Sequence, residues 1–276
     1  MFHDALTCTS AARAAFPRGL EQPEGSLRFG LDALLLASFT AQHMAAPGPP
    51  NKGTKARVSV AELGCGCGAA VLGLALLLPF PVGLGVDVEP ALVKAAQHNA
   101  SRLDLADRII FMPADLADKA VLHSLPSPLR SGAAAGTLDA VLANPPWDLG
   151  GRASPHPLRE RALRGTQGQD TLSIFCHSAA VLLRHHGYFF CIHHAEELPR
   201  LCVALETSGL GLRRILPVRP TRDTPAHRIL TLSRKHAAHD TVLEAPLTLH
   251  RRGHEGRWTE EVRHFCPWLR SFPEDP

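Results

Sequence analysis

A six-residue apolar run, Val58–Leu63, passes without a linker into Gly64-Cys-Gly66-Cys-Gly68, and a helical pattern begins at Ala69. That junction constrains the chain more than any other feature. Glycines let the backbone turn sharply between a strand and a helix, and let it approach a ligand where a Cβ would clash. The next apolar run ends on Asp87, 19 residues beyond Gly68. A carboxylate in that place can accept from both hydroxyls of a ribose. A strand, a Gly-rich turn, a helix and a second strand ending in an acid define a parallel α/β sheet with a ligand at its carboxyl edge.

The rest of the chain repeats the alternation. Strands are expected at Val58–Leu63, Val82–Val88, Ile109–Met112, Leu138–Ala143, Tyr188–His193, Leu212–Val218 and His227–Ser233. Between them lie helical patterns at Ala69–Leu78, Pro90–Arg102, Thr171–Arg184 and Glu196–Thr207, with Pro90 in a first turn and Gly187 closing the third. A further helix is expected at about Leu31–His43, followed by the loop Ala46–Thr54. Seven strands and interleaved helices predict a mostly parallel sheet covered on both faces. Ser124–Thr137, rich in Pro, Ser, Gly and Ala, is expected to be a surface loop with a connecting role.

Composition narrows the alternatives. The longest apolar run, Val71–Val86, is broken by Pro79 and Pro81, so it is expected to be a buried helix and strand and not a membrane span. Phe2–Phe16 lacks the continuous apolar core of a secretory signal. Seven cysteines without C-x-x-C pairing point to free thiols in a reducing cytoplasm. Cys191, His193 and His194 lie on one expected strand with no second ligand group at metal-site spacing, so no metal is expected. Charge is uneven: residues 1–150 carry 11 Lys/Arg against 13 Asp/Glu, and residues 151–276 carry 18 against 13, of which 17 are Arg. Compositional bias and a phosphate-contacting surface both account for that excess.

At the glycine turn two ligand classes compete. Gly64-x-Gly66-x-x-Ala69 with an acid near 20 residues on fits a nicotinamide dinucleotide. The full Glu62-x-Gly64-x-Gly66-x-Gly68 resembles the first motif of class I S-adenosylmethionine-dependent methyltransferases. Asp115, in Pro113-Ala-Asp115-Leu116, stands where that fold offers a carboxylate to an adenine amino group; a pyrophosphate site has no use for this anchor. Val88, Leu116 and Asn144 complete the expected cofactor contacts, and Glu89 starts the following helix.

Asn144-Pro145-Pro146-Trp147 follows the expected strand Leu138–Ala143 directly. It resembles the catalytic N-P-P-aromatic signature of amino-group methyltransferases. A conjugated amine has its lone pair delocalised and is a poor nucleophile. Two acceptors set tetrahedrally, Asn144 Oδ1 and the Pro145 carbonyl, would draw the nitrogen toward sp³ and expose that pair. The two prolines fix φ, and Trp147 offers a ring for a planar substrate to stack on. Adenine and glutamine present similar amines, so the motif leaves the substrate open.

The flanks resemble the bacterial tRNA(Val) adenine-37 N6-methyltransferase family. Arg28-Phe29-Gly-Leu-Asp32-Ala-Leu-Leu-Leu-Ala37 is similar to its R-F-x-x-D-x-x-L-L-A stretch, which caps the cofactor and makes Phe29 and Asp32 candidate contacts. Arg161–Thr166, Leu182–Gly187, Val218-Arg219-Pro220, His227–Leu230 and Leu247–Glu261 resemble its later parts, so the resemblance spans roughly residues 20–265. It implies the class I (Rossmann-like) fold, S-adenosylmethionine, N6-methylation of the adenine beside the anticodon, and tRNA as partner. It also implies an Arg-rich surface from Arg213 to Arg234, with Arg213, Arg219 and Arg228 meeting the substrate. Trp147 stands where Tyr or Phe is commoner. The expected layout is a capping segment, residues 1–57, and a methyltransferase unit, residues 58–276, as a monomer. The competing readings are a protein glutamine-N5 methyltransferase, an rRNA or DNA amino-methyltransferase, a dinucleotide-dependent oxidoreductase and a silent RNA-binding module. A glutamine methyltransferase usually carries a separate N-terminal helical domain, for which 57 residues are few.

Overall fold

The three-dimensional structure is a computed structural model that describes residues 11–44, 57–79, 81–129, 131–147, 156, 160 and 170–271. Helix α1 (Leu31–Met44) precedes β1 (Val58–Leu63), α2 (Ala69–Leu77), β2 (Pro81–Asp87), α3 (Pro90–Arg102), β3 (Ile109–Pro113), α4 (Lys119–Ser124) and β4 (Leu138–Ala143). Then come α5 (Thr171–Leu182), β5 (Leu183–His194), α6 (Leu198–Thr207), β6 (Leu210–Arg219) and β7 (Arg228–Lys235). The chain finishes with short strands β8 (Val242–Leu243) and β9 (Leu247–Thr248), the hairpin of β10 (His250–Arg251) and β11 (His254–Trp258), and α7 (Glu260–Phe265). The expected loop at Ala46–Thr54, the stretch Gly150–Pro157 apart from His156, and Arg161–Thr166 lie outside the described residues.

The sheet runs in the order β3-β2-β1-β4-β5-β7-β6-β8, with β9 also on β6, nine strands in place of the seven expected. Pairings from β3 to β5 are parallel, and β7 runs antiparallel to both neighbours. A doubly wound dinucleotide fold has the order 3-2-1-4-5-6. Here an antiparallel strand is inserted between the fifth and sixth. One consequence is local: β7 begins where the parallel strands end, so its first residue, Arg228, pairs with His194 at the end of β5.

Alternation along the strands divides the core in two. Val60, Leu142, Phe190 and Ile192 face α1, α2 and α3. Ala61, Val141, Ala143, Phe189 and Cys191 face α4, α5 and α6. Helix α2 (AAVLGLALL) is apolar all round because it is clasped between the sheet and α1. Pro90 opens α3, and the Asp118 and Asp170 carboxylates accept backbone N–H groups at the starts of α4 and α5.

Two expectations are corrected. Helix α5 stops at Leu182, and Gly187 does not close it. The chain turns through His186, at φ 60°, while Gly187 lies inside β5, where an added Cβ would sit 2.9 Å from the Leu138 carbonyl oxygen. That glycine serves close strand contact at a bulge. Ser124–Thr137 is more than a surface connection. Pro126 bridges Ala133, the Ala134 N–H donates to the Leu125 carbonyl at 2.6 Å, and Leu125 and Ala134 are buried.

Candidate active site

A cavity of about 490 Å³ opens at the carboxyl edge of the sheet, within the size range of ligand sites. The glycine turn forms one wall. Gly64, Gly66 and Gly68 all have positive φ, at 64°, 54° and 84°. A Cβ on Gly64 would press on Phe175, and one on Gly68 on Phe111, whereas one on Gly66 would stand in open space. Gly66 therefore exposes bare backbone with open space beside it on the cavity wall.

Asp87 caps this turn. Its Oδ2 accepts from the Gly66 N–H at 2.8 Å and its Oδ1 from the Glu89 N–H at 3.0 Å. Burial pushes its carboxyl above the ordinary range, and these two donors oppose the shift. Glu62 lies deeper; the Val71 N–H donates to its Oε2 at 2.9 Å, and burial holds its pKa up at about 8. Val88, Asp115 and Leu116 line the cavity, and Asp115 Oδ1 also accepts from the Ala117 N–H at 2.9 Å. Phe29 and Asp32 enter from the N-terminal segment, where the Gln22 side chain receives the Phe29 N–H at 2.8 Å.

Asn144, Pro145, Pro146 and Trp147 close the cavity beside the turn. Asn144 Oδ1 is buried and meets no hydrogen-bond donor among the described residues. Most buried carbonyls are satisfied, so an orphan in a cavity wall is a candidate acceptor for a ligand donor. Trp147 lies 5.6 Å from the His194 ring at a tilt of 36°, and the Arg228 guanidinium lies 5.4 Å from its centroid. Arg228 Nε stands 2.5 Å from Asp32 Oδ1, an ion pair without linear hydrogen-bond geometry. Burial raises the Asp32 carboxyl, against the attraction of that guanidinium.

The arginines separate. Arg228 lines the cavity, whereas Arg213 and Arg219 do not. Arg213 pairs with Asp240 at 2.9 Å; Arg219 donates to Thr248 Oγ1 at 2.9 Å and to the Arg222 carbonyl at 3.0 Å. Among the described residues no group of three or more His, Cys, Asp or Glu is placed to hold a metal. His193 is buried, accepts from the His194 N–H, and is pushed down to about 4 by burial.

One supporting residue escapes sequence reasoning. Buried Asn99 on α3 donates to the Cys67 carbonyl and the Glu21 carbonyl, each at 3.0 Å, and its Oδ1 accepts the Glu21 N–H at 2.7 Å. It thereby fastens the N-terminal segment to the glycine turn. Its signal was an amide in the apolar stripe of Leu92, Val93, Ala95, Ala96 and Ala100.

The fold matches a known class. A "predicted O-methyltransferase" of Agrobacterium tumefaciens superposes with a TM-score of 0.63, at 20% identity, over 86% of this chain and 95% of that one. A Listeria monocytogenes protein assigned to the class I S-adenosylmethionine-dependent methyltransferases gives 0.55, at 12% identity, over 95% and 77%. The chain has the class I methyltransferase fold. In sequence it is similar to the tRNA1(Val) (adenine(37)-N6)-methyltransferase of Vibrio cholerae serotype O1, strains M66-2 and ATCC 39315. Identity is 29% over 178 residues, 62% of this chain and 65% of each relative, so the match spans just under two thirds of the relatives' length. No family model matches the chain.

Proposed function

We propose that this protein is an S-adenosylmethionine-dependent N-methyltransferase acting on adenine N6 in tRNA, at position 37 beside the anticodon. The observation that carries the reading is the buried, partnerless Oδ1 of Asn144 at the cavity wall, three residues before Trp147 and its stacking ring.

The cofactor fits the residues present. In the cavity wall Asp32 is paired with Arg228; the rest of the acidic lining is Asp87, Glu89 and Asp115, with Glu62 held protonated by burial, against Arg28. An acidic lining suits a ligand carrying a sulfonium and an ammonium and opposes a pyrophosphate. The N–H that a phosphate would want, that of Gly66, is already given to Asp87. Asp87 would hold the ribose hydroxyls, Asp115 the adenine amine, and bare Gly66 would let the cofactor lie against the turn.

When bound, S-adenosylmethionine supplies an electrophilic methyl group on sulfur. Asn144 Oδ1 and the Pro145 carbonyl accept the two amine hydrogens and turn the nitrogen lone pair toward that methyl. Trp147 holds the base by stacking. No tuned base is required before transfer, because the amine proton is lost to water afterwards.

Adenine in tRNA is favoured by Arg228 at the cavity and by the activity named for the Vibrio cholerae relative. The partner is then tRNA and the compartment the cytoplasm. Among the described residues no helix is long and apolar enough to cross a membrane. Incubation with methyl-labelled S-adenosylmethionine and total tRNA, followed by nucleoside mass spectrometry, tests the reading. N6-methyladenosine is expected; label appearing in protein and absent from RNA would transfer the assignment to glutamine.

A further inference from the structure

Three elements distant in sequence converge on one ring. Asp32 stands in the first turn of α1, whose Leu35, Leu36 and Phe39 are fully buried, so its backbone is fixed to the core. Arg228 opens β7 and is paired in register with His194. Trp147 follows β4, and its ring is flanked by the Arg228 guanidinium and the His194 imidazole. The Arg228–Asp32 ion pair at 2.5 Å joins the N-terminal segment to this group. The Asp32 side chain is 11% exposed and that of Arg228 32%, so water screens the pair only in part. A guanidinium is confined when a carboxylate stands against one of its nitrogens and its face lies on an aromatic ring.

We propose that Asp32 is a positioning residue: by orienting Arg228 it fixes the plane of Trp147, so the segment that covers the cofactor also sets where the substrate ring stacks. This goes beyond a cofactor contact for Asp32 and places its main effect on the substrate side. It rests on the reading that Trp147 carries the substrate ring, but its test needs no turnover.

The test uses Asp32→Asn, Arg228→Ala, the double variant and Asp32→Glu. Trp147 emission is isolated by subtracting the spectrum of the matching Trp147→Phe protein, and its iodide quenching is measured. Binding of S-adenosylhomocysteine is measured by calorimetry in parallel. Asp32→Asn is expected to raise Trp147 quenching about twofold or more while cofactor-product affinity stays within about threefold. Arg228→Ala should match that rise, the double variant should add nothing to it, and Asp32→Glu should restore most of it. Unchanged quenching in Asp32→Asn overturns the proposal, as do single effects that add. A loss of S-adenosylhomocysteine affinity of about tenfold or more in Asp32→Asn also overturns it and makes Asp32 a cofactor contact. Coupled quenching in a protein that forms no N6-methyladenosine would refute the proposed function alone.

Discussion

Replacing Asn144 by Ala removes a side-chain oxygen that is buried and meets no donor among the described residues. A buried carbonyl in that state costs about 1–3 kcal/mol relative to a satisfied one. Truncation relieves this cost and gives up van der Waals contacts worth about 1 kcal/mol. The two effects oppose each other, so folding stability should change by no more than about 1 kcal/mol in either direction, a shift of about 2–4 °C in Tm. Catalysis should respond quite differently. An acceptor preorganised for the reacting amine resembles a preorganised oxyanion-hole donor, whose removal costs about 10²–10³ in kcat. The assay pairs thermal unfolding followed by circular dichroism with methyl transfer to tRNA and calorimetric titration of S-adenosylhomocysteine. The expected signature is transfer down by about 10² or more, with Tm and cofactor-product affinity nearly unmoved. A fall in Tm above about 5 °C would refute the reasoning, because the oxygen would then have a structural partner. Full activity would refute it equally.

Burial holds Glu62 at about 8 against an ordinary 4.5, so the folded chain keeps a proton that the unfolded chain releases. That contribution is complete below about pH 4.5 and disappears as pH rises toward about 8; thermal midpoints should fall over this window, and less steeply for Glu62→Gln. Equal slopes would show an ionised carboxyl. Asp87→Ala leaves the Gly66 and Glu89 N–H groups without their acceptor, and S-adenosylhomocysteine affinity should drop about 10- to 100-fold by calorimetry. Unaltered affinity rejects the ribose assignment. Gly187→Ala drives a methyl group to 2.9 Å from the Leu138 carbonyl; chemical denaturation should show a loss of about 1–3 kcal/mol, and an unchanged midpoint would mean the strands separate freely.

Local patterns made much of the molecule legible. Strands β1 to β7, the glycine turn and the acid ending β2 follow from side-chain period and backbone freedom, which are properties of neighbouring residues. That Asn144-Pro145-Pro146-Trp147 would stand at the ligand edge was legible too, because it directly follows a buried parallel strand, and it lines the cavity. Where one element hands over to the next was less clear: Gly187 reads as a helix stop, and the bulge against Leu138 makes it a point of close strand contact instead. Arg213, Arg219 and Arg228 look alike in sequence, and strand order alone separated them. The antiparallel insertion of β7 carries Arg228 to the carboxyl edge, while Arg213 and Arg219 are drawn into contacts with Asp240 and Thr248. The chain by itself determined most elements of the main sheet and which residues are candidates for the chemistry, since both are encoded over a few neighbours. The tertiary structure decided which of those residues meet: Asp32 and Arg228 stand 196 positions apart, and only long-range packing brings that carboxylate to that guanidinium beside Trp147.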